Sequence, residues 1–122
     1  MNPLLARLPA AALCASGLAG VVLARDVIAN LEMDATSPRG LAEARAGLGG
    51  TYAGLGAVAM LAGTRSTDAA IGATWLGAGV VRAGAWQRER FPAHWTYWAY
   101  LAGELTLGGL ALSSALRRRR PS

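Results

Sequence analysis

The sequence predicts an all-α fold, a four-transmembrane-helix up-down bundle, and three observations indicate it. Of the 122 residues, 53% are hydrophobic and 16% are charged, whereas globular chains average about 25% charged residues. The charges leave four apolar windows, each close to the roughly 20 residues that a helix needs to cross a bilayer. No segment alternates with period two, which disfavours strands. The composition argues against an ordinary soluble fold, a disordered tail and a nucleic-acid-binding domain.

The predicted spans belong to one integral membrane domain that takes in the whole chain, residues 1–122. Arg82 is the lone charge inside the third span, and Glu104 is the lone charge in the body of the fourth. The other two spans have charge-free cores. The spans cover about residues 8–27, 43–63, 69–87 and 94–116, and a basic tail follows at 117–122.

The connections between the spans differ in length. Residues 25–39 are polar and predict the one substantial loop. Residues 64–68 contain helix-start residues, with Asp68 as the expected N-cap or first-turn acid. Pro92 ends the third connection, because proline stops one helix and permits the next to begin. Since these last two connections are short, we expect spans two, three and four to pack as antiparallel neighbours.

The first span has a second interpretation. Arg7, followed by an apolar run and the small residues 15–17, also resembles a cleavable signal peptide. The apolar run continues through residues 21–23, past any small-residue cleavage site, and this favours a permanent span. Cys14 is the single cysteine, which predicts a buried inert thiol and no intramolecular disulfide.

The arginines predict the orientation. All 12 basic residues are arginine, and with four spans six of them lie on the side of both termini, against four on the other side. The positive-inside rule then places both termini in the cytoplasm. The opposite face carries an aromatic band, in which amphipathic rings lie at headgroup level: Trp86, Trp95, Tyr97, Trp98 and Tyr100.

Most glycines lie inside the spans, where small residues allow helix backbones to approach closely. The candidate packing positions are Gly47, Gly49, Gly50 and Gly54. They either build the monomeric bundle or provide a stripe for homodimerisation, and the sequence does not separate these two interpretations.

Ionisable residues within the spans form a second candidate site, because each costs about 2.5–3.5 kcal/mol at a helix centre unless it has a partner. We expect Arg82–Glu104 or Arg45–Glu104 to bridge neighbouring helices, with an outward-opening pocket around them. Glu43 and Arg45 lie on different faces and cannot pair. The candidate cluster, either a ligand site or a structural pin, comprises Glu43, Arg45, Arg82, Glu104, Tyr97 and Tyr100.

The run Glu43-Ala44-Arg45-Ala46-Gly47-Leu48-Gly49-Gly50 resembles the Glu-x-Arg-x-x-x-Gly-Gly signature of small bacterial four-helix membrane proteins catalogued as domain of unknown function 4345. The later Arg82 and Glu104 are similar to the remaining polar positions of that family. The resemblance covers nearly the whole chain and implies a multi-pass protein of the bacterial cytoplasmic (inner) membrane. It implies no mechanism, and the arginine tail is not part of the pattern.

Three functions compete on this evidence. The first is a non-enzymatic accessory or scaffold subunit of a larger membrane complex. The second is a pocket that binds a lipid, a quinone-like molecule or an anionic ligand, with Glu104 as an acid or base in an enzymatic version. The third is a small proton-coupled transporter. No catalytic residue, cofactor or nucleic-acid partner is predicted, and the lone His94 makes a poor metal site.

Overall fold

The computed structural model describes residues 2–118, and the regular structure in this range is helical throughout. A π-helical turn, Arg45–Gly50, joins the third helix to the fourth without interruption. The all-α class is therefore confirmed for the described residues. In chain order the helices are α1 (Pro3–Val22), α2 (Ala24–Asn30), α3 (Pro38–Ala44), α4 (Thr51–Ala62), α5 (Arg65–Glu89) and α6 (Trp95–Arg117).

Two of these helices, α1 and α6, are long and apolar enough to cross a membrane. The chain divides into two compact units, one comprising Met1–Pro9 with Ala62–Ser122 and the other Ala10–Leu61. We call them the hairpin unit and the glycine unit. Each has its own packing, which we describe separately.

In the hairpin unit, α5 and α6 run antiparallel and pack through alternating glycine and leucine. Where one helix presents a glycine, the other fills the space with a leucine side chain, so a Cβ added at Gly108 would lie 2.5 Å from the Leu76 Cγ. This exchange of small and large residues brings the two helices close together. The matched positions are Gly72 with Leu112, Leu76 with Gly108, and Gly79 with Leu105.

Side chains close both ends of this hairpin. Thr64 caps α5, since its hydroxyl accepts from the Thr67 N–H and the Thr67 hydroxyl accepts from the Thr64 N–H, a capping box. At the other end Arg90 takes the left-handed conformation that ends α5, with φ 49°. His94 then caps α6 by accepting from the Thr96 N–H. The expected helix break around Pro92 is confirmed.

The glycine unit is built on direct backbone contact between α1 and the stretch from the π turn into α4. A Cβ added at Gly17 would lie 2.1 Å from the Ala53 nitrogen, and one at Gly56 would lie 2.5 Å from the Cys14 nitrogen. Gly20 and Gly49 meet each other in the same way. Only glycine fits at such separations, because backbone atoms cannot rotate aside.

Three predicted boundaries are corrected. α1 ends at Val22 rather than continuing to residue 27, and after a break at Leu23 the first part of the predicted loop forms α2. The next helix begins at Pro38 rather than residue 43, because Ser37 caps it and proline suits a first helical position. α5 begins at Arg65 rather than residue 69, because Thr64 is its N-cap, and Asp68 lies in its first turn, which is one of the two positions expected for it. Residues 119–122 of the predicted basic tail lie outside the described range.

The core is small, and many large apolar side chains are exposed. Leu13 and Ile71 are among the largest fully buried side chains, and alanine makes up most of the remaining apolar core. Exposed large side chains occur on α1, α4, α5 and α6, for example Val22, Leu61 and Val81. An apolar surface of this extent differs from that of a water-soluble monomer, which exposes few contiguous apolar patches.

Candidate functional site

An ion pair between α5 and α6 forms the centre of the candidate site. The Arg82 Nε donates to the Glu104 Oε1 at 2.7 Å, and the Arg82 Nη2 donates to the Glu104 Oε2 at 3.0 Å. The geometry is bidentate, which is the strongest arrangement for arginine and carboxylate. The Glu104 side chain is 7% exposed. Both of its oxygens are therefore engaged by one guanidinium inside the hairpin.

Two tyrosines complete the surroundings of Arg82. The Tyr97 hydroxyl donates to the Arg82 backbone carbonyl at 2.5 Å. The rings of Tyr97 and Tyr100 lie 5.2 Å and 5.4 Å from the guanidinium carbon, close enough for cation–π attraction. Both rings come from the first two turns of α6, one and two turns before Glu104. The helix spacing that the sequence predicted therefore places the hydroxyl-bearing rings beside the ion pair.

Further aromatic residues extend this cluster toward the turn between α5 and α6. Trp86 and Trp98 pack edge to face with centroids 5.2 Å apart, and Phe91 and Tyr97 pack likewise at 5.0 Å. The Trp86 Nε1 donates to the Phe91 carbonyl at 3.1 Å. These aromatic contacts therefore hold the turn between α5 and α6 closed. Trp95 is 71% exposed and lies outside this packing.

The other predicted members of the polar cluster have partners elsewhere. Glu43 lies 3.8 Å from Arg39 one turn earlier, and its side chain is 71% exposed. Arg45 belongs to the glycine unit, where its Nη1 donates to the Val21 carbonyl. Of the two bridges that the sequence allowed, the structure forms Arg82–Glu104. The expectation that Arg45 bridges to Glu104 is corrected, because Arg45 instead bonds a carbonyl in the last turn of α1.

The predicted packing glycines separate into two groups. Gly49 is buried against Gly20 and Val21, so its predicted role in packing agrees with the structure. Around Gly47, Gly50 and Gly54 a Cβ would meet none of the described residues within 4 Å. For these three glycines the described residues provide no packing partner, and the homodimerisation interpretation stays a prediction. They share one helix face, whereas Arg45, Gly49 and Gly56 form the face that packs.

A second ion pair, with a buried carboxylate and a half-exposed arginine, is not predicted by the sequence analysis. The Arg118 Nε donates to the Asp68 Oδ2 at 2.7 Å, and Asp68 is 7% exposed. This pair joins the start of α5 to the end of α6, at the end of the hairpin opposite the aromatic residues. The sequence signal was present: an acid in the first turn of one helix and a base at the end of its antiparallel neighbour. The arginine run has a sufficient explanation in topology, so the sequence pattern does not single out Arg118 as the partner of Asp68.

The hydrogen-bonding groups of the Arg82–Glu104 pair all lie where they have partners or solvent. Among the described residues, no buried side-chain nitrogen or oxygen lacks a hydrogen-bond partner. Each Glu104 oxygen accepts a hydrogen bond from Arg82, and the side chain is 7% exposed, so little of the carboxylate is accessible to a substrate. The arrangement resists separation of the two helices and does not present an unpaired acid or base.

Comparison with known proteins adds no relative. The scan of protein-family models, the search of curated proteins and the search of solved structures each found no match.

Proposed function

We propose that this chain is a multi-pass integral membrane protein with four crossings and a structural, non-enzymatic role as an accessory or scaffold subunit. The apolar surface is the first support, because exposed leucine and valine side chains occur on each of the long helices. The second is length. α5 has 25 residues and extends about 37 Å, and the apolar part of the stretch Pro38–Ala62, residues 46–62, extends about 26 Å, against a hydrocarbon core of about 30 Å.

The proposed orientation has both termini in the cytoplasm of a bacterial inner membrane. The arginine distribution favours this side through the positive-inside rule. The Asp68–Arg118 pair then lies at the cytoplasmic end of the hairpin, and the aromatic residues lie at its outer end. Tryptophan and tyrosine are enriched at membrane–water interfaces, in agreement with that placement.

The single observation that carries the structural role is the closed Arg82–Glu104 pair. A charge within a bilayer needs a partner, and here both carboxylate oxygens have the same one. An acid used in catalysis or proton transfer needs an oxygen that a substrate or water can reach. We therefore assign the pair to fixing the register of α5 against α6.

The scaffold role is supported by the face of Gly47, Gly50 and Gly54. In lipid, a stripe of small residues lets a second helix approach closely, and this stripe has no partner among the described residues. The proposed occupant is a transmembrane helix of a larger membrane complex. A homodimer through the same face is the alternative occupant.

A double-mutant cycle tests the role of the ion pair. Glu104→Gln should lower the free energy of unfolding by about 3 kcal/mol, because Arg82 loses its partner in a low-dielectric interior. Joint replacement of Arg82 and Glu104 by glutamine should recover part of that loss. Glu43→Gln is the matched control, since its exposed carboxylate should contribute little. A stable Glu104→Gln protein with no coupling to Arg82 would overturn the structural assignment.

Substitution of the open glycines tests the scaffold role. Gly50→Leu and Gly54→Leu should leave monomer stability unchanged in detergent and should reduce association with membrane partners recovered by crosslinking. Gly109→Leu is the control, because Gly109 is also open but lies on α6. Crosslinking only to a second copy of the chain would assign the face to a homodimer. Association that survives both substitutions would remove this face from the proposal.

Topology is tested with reporter fusions. A fusion at Ser122 should report the cytoplasm, and one at Glu32 should report the exterior. Finding both positions on the same side would refute four crossings.

A further inference from the structure

A cavity of about 390 Å³ lies within the glycine unit, between the start of α2 and the first turns of α3. Its volume falls in the range of about 300–1,000 Å³ that small-molecule sites occupy. Its lining includes Arg25, Thr36, Ser37, Leu41 and Arg45. The cavity is separate from the Arg82–Glu104 pair, and every residue that lines it belongs to the glycine unit.

The lining of this cavity is positively charged. Arg25 and Arg45 both line it, and none of the lining residues is acidic. The absence of acids is selective, because residues 25–45 contain four carboxylates, at Asp26, Glu32, Asp34 and Glu43. The fold therefore keeps every one of these acids out of the lining while bringing together two arginines that are 20 positions apart. Such an arrangement favours an anion.

The two arginines are held differently. The Arg45 Nη1 donates to the Val21 carbonyl, which fixes the guanidinium at the end of α1, and a guanidinium has further N–H donors for a ligand. The Arg25 side chain forms no hydrogen bond or ion pair with any other described residue. One arginine is thus anchored and the other is free. Planar guanidinium groups match phosphate oxygens bidentately, and this recognition is typical of arginine.

The local helix geometry and the positions of the two arginines beside apolar runs also indicate a binding site here. Arg45 begins the π-helical turn, and π turns occur frequently at functional sites. Arg25 directly follows the apolar run of residues 8–24, and Arg45 directly precedes the apolar run of residues 46–63. Both arginines therefore mark the boundary between apolar and polar chain. In a membrane this boundary is the depth of the phosphate groups.

We infer that this cavity is a binding site for a phosphate ester, with Arg25 and Arg45 as the residues that bind the phosphate. Thr36 provides a hydroxyl at the rim, and Leu41 provides an apolar contact for the ester group. The chemistry is the same whether the phosphate belongs to a phospholipid headgroup or to a soluble phosphate ester. The headgroup source rests on the proposed membrane function, whereas the phosphate site itself does not.

The test uses the full chain purified in mild detergent. Native mass spectrometry measures retention of phosphatidylglycerol, with diacylglycerol as the matched lipid that lacks phosphate. Glycerol 1-phosphate is then added as a soluble competitor. The main variant is Arg25→Gln, because Arg25 has no structural bond among the described residues to lose. The control is Arg39→Gln, which removes an exposed arginine from the same segment but outside the cavity lining.

The wild-type protein should retain phosphatidylglycerol at least tenfold better than diacylglycerol. Arg25→Gln should weaken that retention by about tenfold, and Arg39→Gln should leave it unchanged. Arg45→Lys should also weaken it, since lysine keeps the charge but loses the bidentate fork. Displacement of the lipid by glycerol 1-phosphate would support the site, and tighter binding of glycerol 1-phosphate than of the lipid would assign it to a soluble ester.

Two results would overturn the inference. Equal retention of the two lipids would show that phosphate is not recognised. Equal loss in Arg25→Gln and Arg39→Gln would show general charge attraction without a site. The reporter fusions separate these failures from failure of the proposed function. Four crossings with no dependence on Arg25 reject the cavity alone, whereas binding of glycerol 1-phosphate by a chain without four crossings rejects only the membrane proposal.

Discussion

The contact between α1 and α4 gives the sharpest prediction, because one added methyl group tests it. In Gly56→Ala the new Cβ would lie 2.5 Å from the Cys14 nitrogen, 2.7 Å from the Ala10 oxygen and 2.8 Å from the Cys14 Cα. All three are backbone atoms, so no side-chain rotation relieves the overlap. Ordinary contact begins at 3.4 Å. The backbone of α1 must therefore retreat by roughly 1 Å along several residues, with loss of packing.

The size of the effect follows from two opposing terms. Overpacking a tight contact costs about 1–3 kcal/mol. Replacing glycine by alanine inside a helix favours the helix by up to about 1 kcal/mol. Gly56→Ala should therefore lower the free energy of unfolding by about 1–2 kcal/mol. Gly54→Ala, two residues away on the open face, has only the favourable term and should raise stability slightly or leave it unchanged.

The assay is reversible unfolding of the purified chain in mixed micelles, titrated with a denaturing detergent and followed by circular dichroism. The comparison of two identical substitutions in one helix removes propensity as a variable, so the difference reports packing. Gly17→Ala should behave like Gly56→Ala, because its Cβ would lie 2.1 Å from the Ala53 nitrogen. Equal stability of Gly56→Ala and Gly54→Ala would refute the assignment of the packed face.

Three other predictions concern the hairpin unit. Asp68→Asn should lower the free energy of unfolding by about 1 kcal/mol, and joint replacement with Arg118→Gln should recover part of the loss, measured in the same detergent titration. Thr64→Ala should cost about 1 kcal/mol by removing the capping box, and amide exchange should show fraying confined to the first turn of α5. Glu104→Gln should cost more than Asp68→Asn, because Arg118 is 42% exposed and water can solvate it after the change; a larger loss in Asp68→Asn would contradict this order.

The polar pair of the hairpin could be predicted because helix spacing is local. Glu104, Tyr97 and Tyr100 share a face by the periodicity of one helix, and a short connection makes α5 and α6 antiparallel neighbours. Those two facts restrict the partner of Glu104 to the part of α5 that lies opposite it, where Arg82 is the charged residue. The choice between Arg82 and Arg45 was left open by the sequence, because it depends on which helices are adjacent.

The sequence does not predict the cavity or the Asp68–Arg118 pair, and the reason is different. Arg25 and Arg45 flank a polar segment whose acids outnumber its arginines, and only the fold shows that the acids lie outside the lining. Arg118 belongs to the arginine run that follows the fourth predicted span. The positive-inside rule already explains basic residues at that position. In both cases the decisive fact is which side chains face each other across distant parts of the chain.

The amino-acid sequence is sufficient to predict the helical class, the positions of the apolar segments and the two faces of residues 43–56. These properties depend on composition and on helical periodicity, which is local to each segment. Which face packs is known only from the fold. The face of Gly49 and Gly56 packs, whereas the face of Gly47, Gly50 and Gly54 stays open. Both faces carry glycine, so local pattern does not distinguish them, and the contact depends on α1, whose Gly17 and Gly20 lie against Gly49.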